Sequence, residues 1–384
     1  MFAGITRDNR KRDFSSAFES GLRRRPLFFL HHEPRVGRFT GREGPTNISI
    51  RLNPVTGSST SHFCGMIRFA HFPWTLGKGA LFALLLPGDG QGLIDIAPDS
   101  AFVLGWYNVE NLFDTEDDPL TRDEEFTPEG ARSYHAGLYR LKVQKVAKAL
   151  GQMLSQEEVD AFGLCEIENA RVLDDLILCA PLNRWNWFRV HREGPDPRGI
   201  DVAVFYRTDR VEVQNVHWSS VPLPEGRASR EALVLTLARI SDPNDTLRTG
   251  WLHLPSQRSG SGSIRAEVWK KHKTNYPGVE VWLGDVNEGI GWALDEAVSR
   301  AGFTLFGLSG KGTYFYRNTW SWLDRGWSTP TWQAEALPVF RPWMGHGERD
   351  LATGIAPPWR TWQGENWIGG PSDHYPILVK ITRR

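Results

Sequence analysis

Three cysteines in 384 residues are too few for a disulfide framework. Cys165 lies in an apolar run and Cys179 at the end of a helix-like one. Both read as buried hydrophobes rather than reactive thiols or metal ligands. Net charge is also absent, because 45 basic residues balance 45 acidic ones. The balance is uneven. Up to Gly65 basic residues exceed acidic ones by six, so the rest of the chain is mildly acidic. Such a body does not suit a tight, metal-free binder of nucleic acid, which must neutralise phosphates with its own cations. It does suit an enzyme whose bound cation supplies the positive charge. No apolar run reaches the roughly 20 residues needed to span a bilayer. No internal repeat points to a solenoid. No Gly-x-Ser-x-Gly elbow points to a serine nucleophile.

What is present falls into distinct regions. Residues 1–65 are rich in Arg, Ser and Gly without sustained periodicity, the composition of a disordered or spurious extension. From Met66 a basic lead, Arg68 and Lys78, precedes a short apolar core at 79–86 and then Pro87-Gly88-Asp89-Gly90-Gln91. This is the pattern of a secretory signal peptide, with translation starting at Met66 and cleavage near Gly90. The expected destination is secreted or periplasmic; without use of that signal it is cytoplasmic.

From residue 100 onward the chain reads as one dense domain. Buried strands are expected at 102–107, 159–166 and 281–285, and strand-like runs at 187–191, 200–206, 211–218, 233–239 and 251–253. Apolar positions near helical spacing predict an amphipathic helix over 138–154, with Lys142, Lys145 and Lys148 interleaved and no cofactor role indicated. Further helices are expected at 170–178, capped by Asn169, at 264–275 and at 292–301. Strands interrupted by helices argue for mixed sheets covered by helices, an α/β class. The acidic loop 114–125 reads either as a solvated loop or as a structural Ca2+ site. Seventeen tryptophans are many. Core and loop packing is their default role, and Trp359-Arg360-Thr361-Trp362 could also stack on bases.

The chemistry collects where apolar runs stop. Val281-Trp282-Leu283 ends on Gly284-Asp285-Val286-Asn287, and period two puts Asp285 and Asn287 on one side of the chain. A carboxylate can orient or deprotonate water, and an amide can donate to a developing oxyanion. Asn108, Glu166, His253, Asp324, Asp373 and His374 also stand at the starts or ends of apolar runs. Each alone has a plain explanation as a turn or edge residue. If all these boundaries share one edge, they form a metal-assisted hydrolytic site.

The ordered motifs Tyr107-Asn108-Val109-Glu110-Asn111, Gly163-Leu164-Cys165-Glu166, Arg198-Gly199-Ile200-Asp201, His253-Leu254-Pro255-Ser256-Gln257-Arg258, Gly284-Asp285-Val286-Asn287, Trp322-Leu323-Asp324 and Ser372-Asp373-His374 resemble one family. It is the endonuclease/exonuclease/phosphatase superfamily, close to bacterial, often secreted, deoxyribonuclease-like members. The resemblance runs from about residue 102 to the C-terminus.

It implies a four-layer sandwich, two mixed β-sheets packed face to face with helices outside. It also implies a divalent cation, Mg2+ or Mn2+, and hydrolysis of phosphate esters. Carried over motif by motif, Glu166 is the metal carboxylate, supported by Asn108 and Asp373. Asp285 orients and activates water, and Asn287 holds the scissile phosphate. His374, oriented by Asp324, contacts that phosphate or acts as base. His253 donates to a phosphate oxygen or assists the leaving group. The implied substrate is a phosphodiester, with nucleic acid in first place, and the implied state is a monomer without protein partners. A small phosphate ester or phospholipid head group is the alternative, and a catalytically silent binding module on the same fold is a third. Two motifs depart from the family pattern. Val286 and Glu288 replace its Phe and Asp, and Leu254 and Gln257 replace its Trp and Arg.

Overall fold

A computed structural model describes residues 101–384 except 224–228, 257–261, 309, 340–341, 348 and 350–353. The extension 1–65 and the candidate signal segment 66–90 lie outside the described residues, as do Gln257 and Arg258. Among the described residues no helix is long and apolar enough to cross a membrane.

The first half of the domain runs β1 (Ala101–Leu112), α1 (Ala136–Leu154), β2 (Ala161–Ile167), α2 (Ala170–Leu178), β3 (Trp187–Val190) and β4 (Asp201–Arg207). It continues with β5 (Val211–Ser219), β6 (Ala232–Arg239), β7 (Thr246–His253), α3 (Gly262–Asn275), β8 (Val281–Asp285) and α4 (Ala293–Arg300). Then follow β9 (Thr304–Phe306), a hairpin of β10 (Tyr314–Tyr316) and β11 (Thr319–Ser321), β12 (Asp324–Ser328) and β13 (Trp332–Leu337). A small hairpin of β14 (Trp362–Gln363) and β15 (Asn366–Trp367) precedes the last strand, β16 (Ile377–Arg383). The expected helices fall where periodicity put them, and Asn169 Oδ1 caps α2 by accepting from the Val172 amide at 3.1 Å.

Two six-stranded sheets result, ordered β13-β16-β1-β2-β4-β3 and β5-β6-β7-β8-β12-β9. Each contains a single parallel pair, β1 with β2 and β7 with β8. A parallel pair needs a crossover, and α1 and α3 supply it. The other pairings are antiparallel. The chain therefore has two mixed sheets with helices outside, the expected sandwich.

Three buried clusters correspond to the three interfaces of four layers. One lies between α1, α2 and the first sheet, one between the sheets, and one between the second sheet and α3, α4. Strand periodicity sorts the side chains. In β1, Phe102, Leu104 and Trp106 face the opposite sheet, while Val103, Tyr107 and Val109 face the helices. In β8, Val281 and Leu283 point inward and Trp282 points to the helix layer. Burial on both faces explains why these strands read as unbroken apolar runs. Gly163 in β2 leaves room for two tryptophan rings between the sheets. The Trp106 and Trp251 rings stack 6.5 Å apart there, and a Cβ on Gly163 would lie 2.3 Å from Trp251 Cε3.

This topology directs the site. The parallel strands β7 and β8 end on His253 and Asp285, and β1 and β2 carry Asn108 and Glu166 in their C-terminal portions. The antiparallel strands β12 and β16 start at or just after Asp324 and His374. Ends of one direction and starts of the other meet at one edge of the sandwich.

Candidate active site

That edge opens into a cleft of about 1020 Å3. Seven of the eight carried-over residues line it, and the eighth, Asp324, is fully buried beneath. Contacts between the sheets hold the centre together. Asn108 Nδ2 donates to Asp285 Oδ2 at 3.0 Å, and Asp285 Oδ1 accepts from the Asn287 amide at 2.9 Å. Trp106 Nε1 donates to Asp324 Oδ1 at 3.0 Å. Asp324 Oδ2 and His374 Nδ1 are 2.6 Å apart. His253 Nε2 stands 3.7 Å from Asp285 Oδ2 and 4.0 Å from Glu166 Oε1. Asn287 Nδ2 donates to the Leu254 carbonyl at 3.0 Å, which aims the amide across the cleft floor.

Backbone strain concentrates here. Glu110, Asn111, Glu166 and Asn287 have φ of 51°, 56°, 61° and 52°, although none is glycine. Left-handed conformations at such residues cost of order 1 kcal/mol each and persist where the surroundings impose them. β1 slips register between Asn108 and Leu112, and β2 between Cys165 and Ile167. Bulges of this kind re-aim side chains at a strand end. Here they turn Glu166 toward the cleft, where its Oε2 accepts from the Asn111 amide at 3.0 Å.

The two histidines are driven in opposite directions. Burial holds His253 well below the ordinary imidazole range, and Arg230 and Arg198 push it the same way. His253 is thus neutral, and its buried Nδ1 has no partner. Burial also opposes charge on His374, but the carboxylates of Asp324, Asp285 and Asp373 outweigh it and hold His374 well above that range. Asp285 is pushed up to about 7, first by burial and then by Asp324. Cys165 is fully buried and its thiol is pushed up by burial, so it is the inert hydrophobe expected.

The donor set at the cleft has the chemistry a hard cation requires. Glu166, Asn108 and Asp373 offer oxygen ligands, the type such ions prefer. Burial raises Asp373 and the neighbouring Glu166 adds to it. An excess of carboxylate in a buried cleft is what a divalent ion offsets, so the residues fit one. Two groups of ligating atoms lie within 4.8 Å at this site, Cys165–His253–Asp285 and Asp285–Asp324–His374. Neither is the expected metal set. Hydrogen bonds already account for the second, and a buried thiol paired with a neutral histidine makes the first a poor home for Mg2+. The acidic loop 114–125 belongs to no such group among the described residues. Its Asp114 and Asp123 accept from the Glu116 and Asp118 amides instead.

Several residues at the site were not singled out from sequence. Lys142, read as part of the polar face of α1, is completely buried. Its Nζ reaches the Val109 carbonyl and Thr361 Oγ1 at 2.5 Å each and the Pro371 carbonyl at 2.9 Å. Glu110 accepts from the Thr361 and Trp362 amides at 2.5 and 3.1 Å. Ser372 Oγ donates to the Asn108 carbonyl at 2.7 Å and accepts from the His374 amide at 3.0 Å. Together they clamp the segment that carries Asn108, the segment that carries Asp373 and His374, and the intervening Thr361–Trp362. A lysine interleaved with apolar residues was the only available hint. The acidic departure Glu288 is also explained. It is fully buried, pairs with Arg265 at 3.0 Å and accepts from the Leu294 amide, away from the cleft.

A buried acid–imidazole pair, a carboxylate held by two donors and further oxygen-bearing side chains thus share one cleft of a four-layer sandwich. Residues 103–256 match the model described as "Endonuclease/Exonuclease/phosphatase family". The matched stretch carries Asn108, Glu166 and His253, and over it the chain is similar to that family. No curated protein sequence matches it. Among solved structures, an endonuclease/exonuclease/phosphatase family protein from Bacteroides thetaiotaomicron is 15% identical, covering 73% of this chain and 97% of that one at a TM-score of 0.48. A mannosyl-6-phosphatase from the same organism is 17% identical, covering 73% and 99% at 0.47. D. rerio TDP2 complexed with a single-strand DNA product is 14% identical, covering 74% and 100% at 0.45. None of these likenesses assigns a substrate to this chain.

Proposed function

We propose that the protein is a divalent-metal-dependent phosphodiesterase that cleaves nucleic acid and is exported through the segment at 66–90. The observation that carries the chemistry is the meeting of Asn108–Asp285 and Asp324–His374, drawn from both sheets, in one cleft. Asp285 takes the proton of the attacking water as the new P–O bond forms. Asn287 and the charged His374 stabilise the oxygens of the phosphate in the transition state. Asp324 holds Nδ1 of His374, leaving Nε2–H to protonate the departing alkoxide as its P–O bond breaks. Glu166, Asn108 and Asp373 would hold a divalent cation, which would supply charge neutralisation at the phosphate. Arg122, Arg198 and Arg230 line the same cleft and suit a polyanionic substrate better than a neutral one.

The test offers supercoiled DNA, single-stranded RNA and bis(p-nitrophenyl) phosphate to the protein and to Asp285→Ala, with Mg2+, Mn2+ or chelator. Metal-dependent cleavage, reduced at least about a hundredfold in the variant, is expected. A folded protein inert toward all three would refute the reading. The mass of the native secreted chain checks the export proposal, which fails if residues before Met66 are retained.

A further inference from the structure

We infer that the β10–β11 hairpin forms a subsite for the nucleotide next to the scissile phosphate, its phosphate on Arg317 and its base against Tyr316 and the hollow behind it. This rests on the phosphodiesterase reading and names part of its substrate contact. The hairpin is rooted in the catalytic pair. Thr313 Oγ1 accepts from the Asp324 amide at 3.1 Å, and the Thr313 carbonyl accepts from the Tyr375 amide at 2.7 Å. Tyr314 bridges to His374 along the backbone, and its ring lies 4.9 Å from the imidazole. Period two then places Tyr316 on the same face, 6.4 Å further out and stacked at 24°. The aromatic row leads from the reacting centre toward solvent.

The tip adds a cation. Arg317 and Asn318 both have positive φ, the turn a two-residue hairpin requires. The Arg317 guanidinium lies 5.2 Å from the Tyr316 ring, and no carboxylate among the described residues pairs with it. Tyr316 is 49% exposed, a large aromatic left in water beside the cleft.

A second cavity of about 290 Å3 adjoins the far side of this ridge. Tyr316 and Arg317 line both spaces, so a strand leaving the cleft over the hairpin meets the hollow next. Its walls include His346 and Trp359, whose rings stack at 5.5 Å, with Pro357 and Arg360. Aromatic faces and arginines around a flat hollow are suited to a base joined to phosphate. A lone small phosphate ester would use the cleft floor and leave the ridge bare.

The test is binding of a labelled single-stranded phosphorothioate oligonucleotide by fluorescence anisotropy, with Mg2+ present so that the cation site can fill while the sulfur-substituted linkages resist turnover. The full chain is compared with Tyr316→Ala and Arg317→Asn. Asparagine tolerates the left-handed turn, so the second variant keeps the hairpin. Each variant should weaken binding roughly fivefold to a hundredfold, the loss of one stacked base or charge contact. Arg317→Asn should also lower the salt slope by about one. An oligonucleotide abasic at every position should bind the wild type as weakly as the intact strand binds Tyr316→Ala. No binding by the wild type, unchanged binding by both variants, or equal binding of the abasic strand would overturn the subsite. Turnover of bis(p-nitrophenyl) phosphate by the wild type with Mg2+ or Mn2+ reports separately on the phosphodiesterase reading.

Discussion

Replacing Lys142 by methionine removes the charge at the centre of the clamp while nearly conserving volume. Burial pulls the lysine down to about 8 and pushes Glu110 up to about 8, so both pay for desolvation. Their partners decide the charge states. All three groups around Nζ are oxygens accepting from it, which calls for three N–H donors and therefore an ammonium. Both groups around the Glu110 carboxyl are amide donors, which favours the carboxylate. Without the ammonium, the Val109 and Pro371 carbonyls each lose a partner, at about 1–3 kcal/mol per buried unsatisfied group. Glu110 is left as an uncompensated buried charge, but relief of the lysine's own desolvation offsets part of this. A net loss of about 3–5 kcal/mol follows, a large share of the roughly 5–15 kcal/mol that holds a typical domain together. Urea unfolding followed by tryptophan fluorescence measures it. The solvent-facing Arg140→Met on the same helix should change stability by under about 0.5 kcal/mol. Adding Glu110→Gln to Lys142→Met should recover part of the loss, since it removes the orphaned charge. A change below about 1 kcal/mol for Lys142→Met would refute the clamp.

Other perturbations test other links. Asp324→Asn should lower kcat by roughly a hundredfold. It should also move the pH–rate profile to lower pH, because burial then draws His374 down without its main carboxylate to oppose it; an unmoved profile would remove His374 as the acid. Burial lowers His272 to about 4, where its Nδ1 meets Ser219 Oγ at 2.8 Å. The unfolded chain therefore binds a proton that the fold refuses between about pH 6.5 and 4. Stability from this residue is complete above that window and falls by about 3 kcal/mol as pH drops through it. His272→Gln should flatten that part of the pH–stability curve, and an equally steep curve would count against the assignment. Gly163→Ala should lower the melting temperature, with a cost of about 1–3 kcal/mol, because the new Cβ meets two stacked tryptophans rather than a flexible side chain.

Local sequence carried the element types and the site candidates. Buried strands ending on polar residues are legible because periodicity and burial are local properties. The Asn169 cap and the helix at 136–154 follow from the same signals. The order of motifs was enough to name eight residues, all of which meet at one edge of the sandwich. What sequence could not supply were contacts across long separations. Trp106 reaching Asp324 spans 218 positions, and Lys142 reaching Pro371 spans 229. Lysine on an amphipathic helix ordinarily faces solvent, and only the convergence of three loops provides the acceptors that keep this one inside. The same holds for charge. His253 and His374 are the same residue type at strand boundaries, yet burial prevails at one and carboxylates outweigh it at the other. Composition and period determine where a chain turns and which side chains face a core. Packing two sheets together decides which of those turns become neighbours, and so which imidazole carries a proton.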